Sequence, residues 1–320
     1  MKPYHVHLTD LFHPHGDPDD HYDLALAFAL DKLGFTELGA VIMDYPPPHR
    51  VGDPALCAVA QLNAITGRTI PAITAAKDTA AAGQQILTVL QNAPRPVSFS
   101  VVGTTENIAA AIKQNPQLFA EKCAGIYLAA GSGIQTEGGP LEYNVRLHPE
   151  AYSRMFSAPC PLYWAPCYHT ILPGDRGECG GEYGSVFCIL QKEILDGLTP
   201  AMQNYFLYML TRSADPKYLR YLDAPVDTAA LAEHREKVRR LWSAPLLLRI
   251  AGIPCDSFSF DPIRAVSASD GTLNWEAAET SAQFIFHMKQ NDRSTADSFD
   301  RTGRYKEEMV KKLTELLSRL

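Results

Sequence analysis

Five aspartates, Asp10, Asp17, Asp19, Asp20 and Asp23, fall within fourteen residues near the start of the chain. Carboxylates so closely spaced repel one another, and a divalent cation is the simplest physical remedy. The donors on offer are all oxygens, which favours calcium or magnesium over zinc; calcium takes about six to eight oxygens from side chains, carbonyls and water. The spacing does not match an EF-hand, whose loop must end in glutamate. Asp19, Asp20 and Asp23 would equally suit the N-cap and first turn of a helix, where the macrodipole favours negative charge. His5, His7, His13, His15 and His21 surround the cluster, but their irregular spacing reads as surface or packing histidines rather than a transition-metal set.

The elements that must hold these side chains follow from the apolar pattern. Short β-rich runs at 4–9, 38–43, 97–102 and 125–130 alternate with helix-like segments at 24–33, 54–66, 79–90 and 107–114. Such alternation predicts an open, mainly parallel α/β sheet flanked by helices. After residue 160 a loop rich in Gly, Cys and Pro (173–184) gives way to mostly helical segments, including 201–212, 228–242 and 300–320. The C-terminal part is therefore expected to be helical. The Gly-Glu-Cys-Gly-Gly-Glu-Tyr-Gly run in that loop lacks the strand before it and the Gly-Lys-Ser/Thr ending of a phosphate cradle, and reads at most as a flap. In open parallel sheets ligands sit beyond the carboxyl ends of the strands. Here the first strand ends at Thr9-Asp10 and the second at Asp44.

The chain of 320 residues, 46% hydrophobic and 20% charged, has the composition of a globular protein. A net charge of -7 without a dense Lys/Arg run argues against nucleic acid as partner and for a small neutral substrate. The first ten residues carry His, Thr and Asp where a signal peptide needs an apolar stretch, and no run is long enough to span a membrane, so a cytoplasmic protein is expected. Seven cysteines without a Cys-x-x-Cys pair indicate neither a disulfide framework nor a structural zinc site. Cys160, Cys167 and Cys179 lie near His169, but buried thiols are the simpler reading than a Cys/His nucleophile.

The acidic loop resembles the aspartate motif of the inosine/uridine-preferring nucleoside hydrolases, and three further stretches match that family in order. Gly103-Thr104-Thr105-Glu106-Asn107-Ile108-Ala109 is similar to its Gly-x-x-Thr-Asn-Ile-Ala segment. Leu141-Glu142-Tyr143-Asn144-Val145, followed by Pro149-Glu150-Ala151, resembles its Ala-Glu-Phe-Asn segment with an Asp-Pro-Glu-Ala sequel. Phe260-Asp261-Pro262-Ile263-Arg264-Ala265-Val266 is similar to its His-Asp-Pro-Leu-Ala-Val segment. The resemblance spans most of the chain and implies a single domain over 1–320, assembled as a homodimer or homotetramer.

The family motif is Asp-x-Asp-x-x-x-Asp-Asp, and two registers fit it. Either Asp10 and Asp17 stand for the first two aspartates with Asp19-Asp20 as the pair, or Asp17, Asp19 and Asp23 occupy the motif and Leu24 replaces its last member. The first keeps the adjacent pair and is preferred. It implies calcium ligation by Asp17, Asp20, Asp261 and the carbonyl of Glu106, with Asp19, Glu142 and Asn144 holding the sugar and Asp44 and His169 beside the substrate.

The implied reaction is hydrolysis of the N-glycosidic bond of a nucleoside or riboside. Carboxylates would stabilise the oxocarbenium-like transition state, and Asp17 or Asp10 would accept the proton of the attacking water. Phe260 stands where many members carry a histidine that assists the leaving group, and phenylalanine has no donor. His169 and Tyr168 are the candidate replacements; without one, p-nitrophenyl riboside should be cleaved far faster than inosine or uridine. Two other readings remain open. One is a calcium-dependent sugar-binding protein without turnover. The other is a metallophosphoesterase, because Asp10, His13, Asp17 and Asp20 superficially resemble a dinuclear site.

Overall fold

The computed structural model describes residues 1–14, 19–47, 52–136, 138–172, 181–289 and 303–320. The chain opens with β1 (Tyr4–Thr9), a two-residue strand β2 (Phe12–His13), α1 (Asp19–Lys32) and β3 (Glu37–Met43). It continues through β4 (Asp53–Pro54), α2 (Leu56–Thr66), β5 (Ala72–Thr74), α3 (Thr79–Asn92), β6 (Val97–Val101), α4 (Glu106–Gln114), α5 (Pro116–Lys122) and β7 (Cys123–Ala129). Next come α6 (Tyr143–Leu147), α7 (Pro149–Met155), β8 (Leu162–Ala165), β9 (Phe187–Leu190), α8 (Lys192–Leu195), α9 (Pro200–Leu210), α10 (Tyr218–Tyr221) and α11 (Thr228–Arg235). The last elements are β10 (Val238–Leu241), α12 (Ala244–Ile250), β11 (Phe258–Ser269), β12 (Thr272–Ala277), β13 (Gln283–Met288) and α13 (Arg304–Leu317).

Nine strands form one sheet in the order β12-β11-β13-β8-β7-β6-β1-β3-β5, parallel from β13 to β5 with an antiparallel edge at β11 and β12. This is the expected open, mainly parallel α/β sheet. From β1 the chain builds outward to β3 and β5, then returns to the other side of β1 with β6, β7 and β8. The strand order therefore reverses between β1 and β6, and loops leaving their carboxyl ends diverge and open a crevice.

Alternation along the strands gives each face of the sheet its own core. Val6, Leu8, Phe99, Ile126 and Leu128 pack with Ile86, Ile108 and Phe119 of α3, α4 and α5. Met43, Tyr127 and Ala129 face α1, α9 and α12 on the other side. Helix α1 is buried from Asp20 to Asp31, because it packs against α2, α12 and α13 as well as the sheet. A helix enclosed all round is apolar all round, and the run Leu24-Ala25-Leu26-Ala27-Phe28-Ala29-Leu30 supplies that.

The second half departs from the expectation of mostly helical segments. The helix expected over 228–242 ends at Arg235, and β10 follows to pair with β9. Residues 258–288 form three strands that the apolar pattern hides: β11 is largely exposed, and its pairing with β12 shifts register between Ala265 and Ser267. Helix α13 closes the chain as expected, burying Tyr305, Met309 and Leu313 at four-residue intervals. Among the described residues no helix is long and apolar enough to cross a membrane.

The histidines of β1 are packing residues. His5 and His7 are fully enclosed, and Nε2 of the first and Nδ1 of the second each lie 2.7 Å from the Ser100 hydroxyl. Burial pushes the pKa of His7 down to about 3. Between that value and the ordinary 6.5 the unfolded chain binds a proton that the folded chain refuses, so this contribution to stability is complete above pH 6.5 and is lost as pH falls. The stability advantage of the wild type over His7→Gln in urea unfolding is thus expected to shrink by about 2 kcal/mol from pH 7.5 to pH 5. An unchanged difference would mean that His7 titrates normally in the fold.

Candidate functional site

The carboxyl ends of β1, β6, β7 and β8 lead into a cavity of about 370 Å³ lined by Asp10, Asp19, Asp20, Glu142, Asn144, Tyr168 and Trp242, among others. Asp10 follows β1 directly, and α1 starts at Asp19, which puts Asp19 and Asp20 in its first turn. Asp20 accepts a hydrogen bond from the Thr9 hydroxyl at 3.0 Å, which ties the helix start to the strand end. Asp17 lies outside the described residues.

Glu142 has two tasks. It caps α6, accepting from the backbone N–H groups of Asn144 at 3.0 Å and Val145 at 3.3 Å, and it also accepts from Gly131 N at 3.1 Å. Burial raises its pKa, and these backbone donors oppose the rise. Asn144 donates its amide to the Val102 carbonyl at 3.1 Å, while its Oδ1 is buried and has no hydrogen-bond partner. The indole N–H of Trp242, on the same cavity, is likewise buried and unpaired. Orphaned buried polar atoms are costly unless a ligand or water completes them, and here one acceptor and one donor belong to side chains that line a single cavity.

A second cavity of about 500 Å³ adjoins the first, and Asp10 lines both. Its walls include Phe12, Asp44, Tyr45, Pro46, Pro47, Glu106 and His148. Asp44, expected beside the substrate, belongs here. It accepts from Thr104 N at 2.9 Å and from the Asn107 amide at 2.8 Å. Burial and then the charge of Asp10 hold its carboxyl well above the usual range. Gly103 makes this approach possible, since a Cβ there would collide with the Asp44 carboxylate and the Asp10 backbone.

Other expected site residues are not brought to the first cavity. Asp261 sits within β11, 45% exposed, hydrogen-bonded to Nδ1 of His287, whose Nε2 lies 2.9 Å from Glu182. The Phe260-Asp261-Pro262 segment is extended strand rather than a turn at the crevice, and Phe260 packs on Tyr163, Phe258 and Phe286. Glu106 lines the second cavity and a third of about 640 Å³. His169 stacks on Tyr183 with ring centres 5.8 Å apart and takes a hydrogen bond from Tyr183 N at 3.3 Å. Of the two candidate leaving-group acids, only Tyr168 faces the first cavity. Its hydroxyl is pushed upward by burial, then by Cys167 and Glu142.

The metal expectation fits these residues in part. Asp10, Asp19 and Asp20 present an oxygen-only wall suited to a hard cation. Among the described residues, however, no three His, Cys, Asp or Glu side chains are grouped as a metal site. A cation on this wall would need Asp17, backbone or ligand oxygens to complete its shell. Cys167 faces the same wall, and burial followed by the charges of Glu142, Asp19, Asp23 and Asp10 drives its pKa well up. A thiolate nucleophile is thus disfavoured there. The dinuclear alternative loses His13, which stacks on Tyr208 at 5.0 Å and whose Nε2 lies 2.5 Å from the Ser213 carbonyl.

Trp242 and Ser243 are cavity residues that the apolar pattern missed. They precede α12, which carries proline in its first turn. Ser-Ala-Pro ahead of an apolar run is a helix-start signal that would have found them.

Neither a family model nor a curated protein sequence matches the chain. Its fold does match solved structures. The inosine-uridine preferring nucleoside hydrolase from Bacillus anthracis superimposes with a TM-score of 0.54 at 12% identity over 100% of both chains. An inosine-guanosine nucleoside hydrolase gives 0.52 at 14% identity over 99% of each. An effector protein gives 0.56 at 14% identity, covering 99% of this chain and 94% of its own. The chain thus has the fold of the nucleoside hydrolases, in a strongly diverged sequence.

Asp23, a member of the second register only, lies within α1. It is buried, is not among the residues lining the first cavity, and bonds Ser243, and burial pushes its pKa up to about 7. Between 3.8 and 7 the folded chain retains a proton that the unfolded chain releases, so stability is lost as pH rises through this window. Asp23→Asn, which never ionises, is expected to gain roughly 2–3 kcal/mol on the wild type between pH 5 and pH 8 in urea unfolding. No gain would mean an ordinary, solvated carboxylate.

Proposed function

We propose that this chain hydrolyses the N-glycosidic bond of a ribonucleoside or a related riboside. The observation that carries the reading is the unpaired Oδ1 of Asn144, buried in a carboxylate-walled cavity at the strand-order reversal. A sugar hydroxyl is the donor that completes it. The sugar occupies the first cavity and the leaving group the second, so that the scissile bond lies beside Asp10, which lines both.

As the bond breaks, its electron pair leaves on nitrogen and positive charge grows on the sugar. The Asp10, Asp19 and Asp20 carboxylates stabilise that charge. A water oxygen adds to the anomeric carbon, and Asp10 or Asp17 accepts the released proton. Asp19 and Asn144 bind the sugar hydroxyls, and Glu142 sets Asn144 in place through its backbone N–H. Calcium, held by Asp20 and Asp17, would raise the acidity of water at this wall. Asp261 is left out of that set because His287 holds it elsewhere.

Release of free ribose from p-nitrophenyl riboside and from inosine tests the reading. Asp10→Asn is expected to lower kcat by about 10² to 10⁴, and Asn144→Ala to raise KM by about tenfold. Elemental analysis should find calcium in the wild type and less of it in Asp20→Asn; stoichiometric zinc would contradict the calcium assignment. A second reading, sugar binding without turnover, is favoured by the absence of Phe260 and Asp261 from the cavity. Calorimetric binding of ribose with no product formed from either riboside would decide for it.

A further inference from the structure

Two departures from the motifs quoted above meet in space. Glu106 stands where the Gly-x-x-Thr-Asn-Ile-Ala segment has threonine, and His148 precedes Pro149 where the Asp-Pro-Glu-Ala sequel has aspartate. They are 42 residues apart in sequence, yet Nε2 of His148 lies 2.8 Å from Oε2 of Glu106. The Thr79 hydroxyl donates to the other oxygen, Oε1, at 2.5 Å.

Aspartate before proline at a helix start is a capping residue. His148 occupies the N-cap position of α7 but makes no side-chain cap bond. Its ring is turned to Glu106, and both line the second cavity together with Asp10. Glu106 is well anchored: the bond to His148, above all, holds its carboxyl below the usual range. The remaining lining sets the flat surfaces of Phe12, Tyr45, Pro46 and Pro47 beside the polar Asp44, Lys77, Thr79, Thr104 and Asn107. A planar heterocycle with polar edge atoms suits such a space, and a hydrogen-bond donor at its rim can read those atoms.

We propose that Glu106 and His148 form the recognition pair for the leaving group: Glu106 accepts from Nε2–H and orients the ring, and His148, as an imidazolium, donates from Nδ1–H to the departing nitrogen heterocycle. This deepens the hydrolase reading and rests on it. As the C–N electron pair moves onto the heterocycle, the Nδ1–H stabilises the charge that develops there. The pair thereby takes the place of the donor that Phe260 cannot supply. His148 touches the substrate, and Glu106 is a positioning residue.

The test pairs kinetics with binding. His148→Gln should lower kcat/KM for inosine by about 10² while changing that for p-nitrophenyl riboside by less than about threefold, because p-nitrophenolate leaves without assistance. Calorimetry with hypoxanthine should show binding to the wild type that weakens about tenfold in His148→Gln. Glu106→Gln, which retains a hydrogen bond to the ring, should fall between wild type and His148→Gln in both measurements, with unchanged thermal unfolding. Equal losses on the two substrates, or hypoxanthine binding indifferent to His148, would overturn the pair's role. Hypoxanthine binding that depends on His148, with no turnover of either substrate, would uphold the pair and remove the hydrolase reading. Neither binding nor turnover would remove both.

Discussion

Mutual repulsion among buried and half-buried carboxylates at the crevice between β1 and β6 is the constraint around which the site is arranged. Asp10, Asp19, Asp20, Asp23, Asp44 and Glu142 all stand near the carboxyl ends of the central strands. The four buried ones are accommodated differently. Asp20 takes the Thr9 hydroxyl, Asp44 takes Thr104 N and Asn107, and Glu142 takes three backbone N–H groups. Burial pushes the pKa of Asp23 up to about 7. Negative charge concentrated where water is excluded costs stability, and under the proposed reaction that cost gains a chemical use in stabilising positive charge on a sugar.

The same constraint explains the division into two cavities. Gly103 lets the Asp44 carboxylate and the Asp10 backbone approach closely, which leaves Asp10 between the two cavities. The first cavity is rimmed with acids and carries the unpaired Asn144 oxygen and Trp242 N–H. The second sets Phe12, Tyr45 and two prolines beside Asp44, Lys77, Asn107, Glu106 and His148. Under the proposed reaction, sugar hydroxyls on one side of the scissile bond and a planar heterocycle with polar edges on the other match that partition.

How much of this could be read from the chain depends on how each element buries its residues. The central strands alternate cleanly and the first helices are Ala- and Leu-rich, so β1, β3, β6, β7 and α1 to α4 are legible to within a few residues. Helix α1 starts at Asp19 rather than Leu24, because acidic residues that cap a helix carry no apolar periodicity. The hairpin of β11 and β12 is hidden by exposure and by the register shift near Ala265. The Phe260-Asp261-Pro262 segment lies within β11, where Asp261 is hydrogen-bonded to His287. Asp10, Asp19 and Asp20 stand out because they follow the first strand or start the first helix, whereas Glu142 and Asn144 are reached only through the resemblance of their segment to the nucleoside hydrolases. The Glu106–His148 contact is not legible, because it joins the start of α4 to the N-cap of α7, which only the fold brings together.

The most direct test of the account is a crystal structure with ribose bound. The expected result places the sugar in the first cavity, with a hydroxyl donating to Asn144 Oδ1, further hydroxyls on Asp19, and the anomeric carbon facing Asp10 and the second cavity. Ribose bound elsewhere, or bound in that cavity with Asn144 Oδ1 still unpaired, would contradict the account.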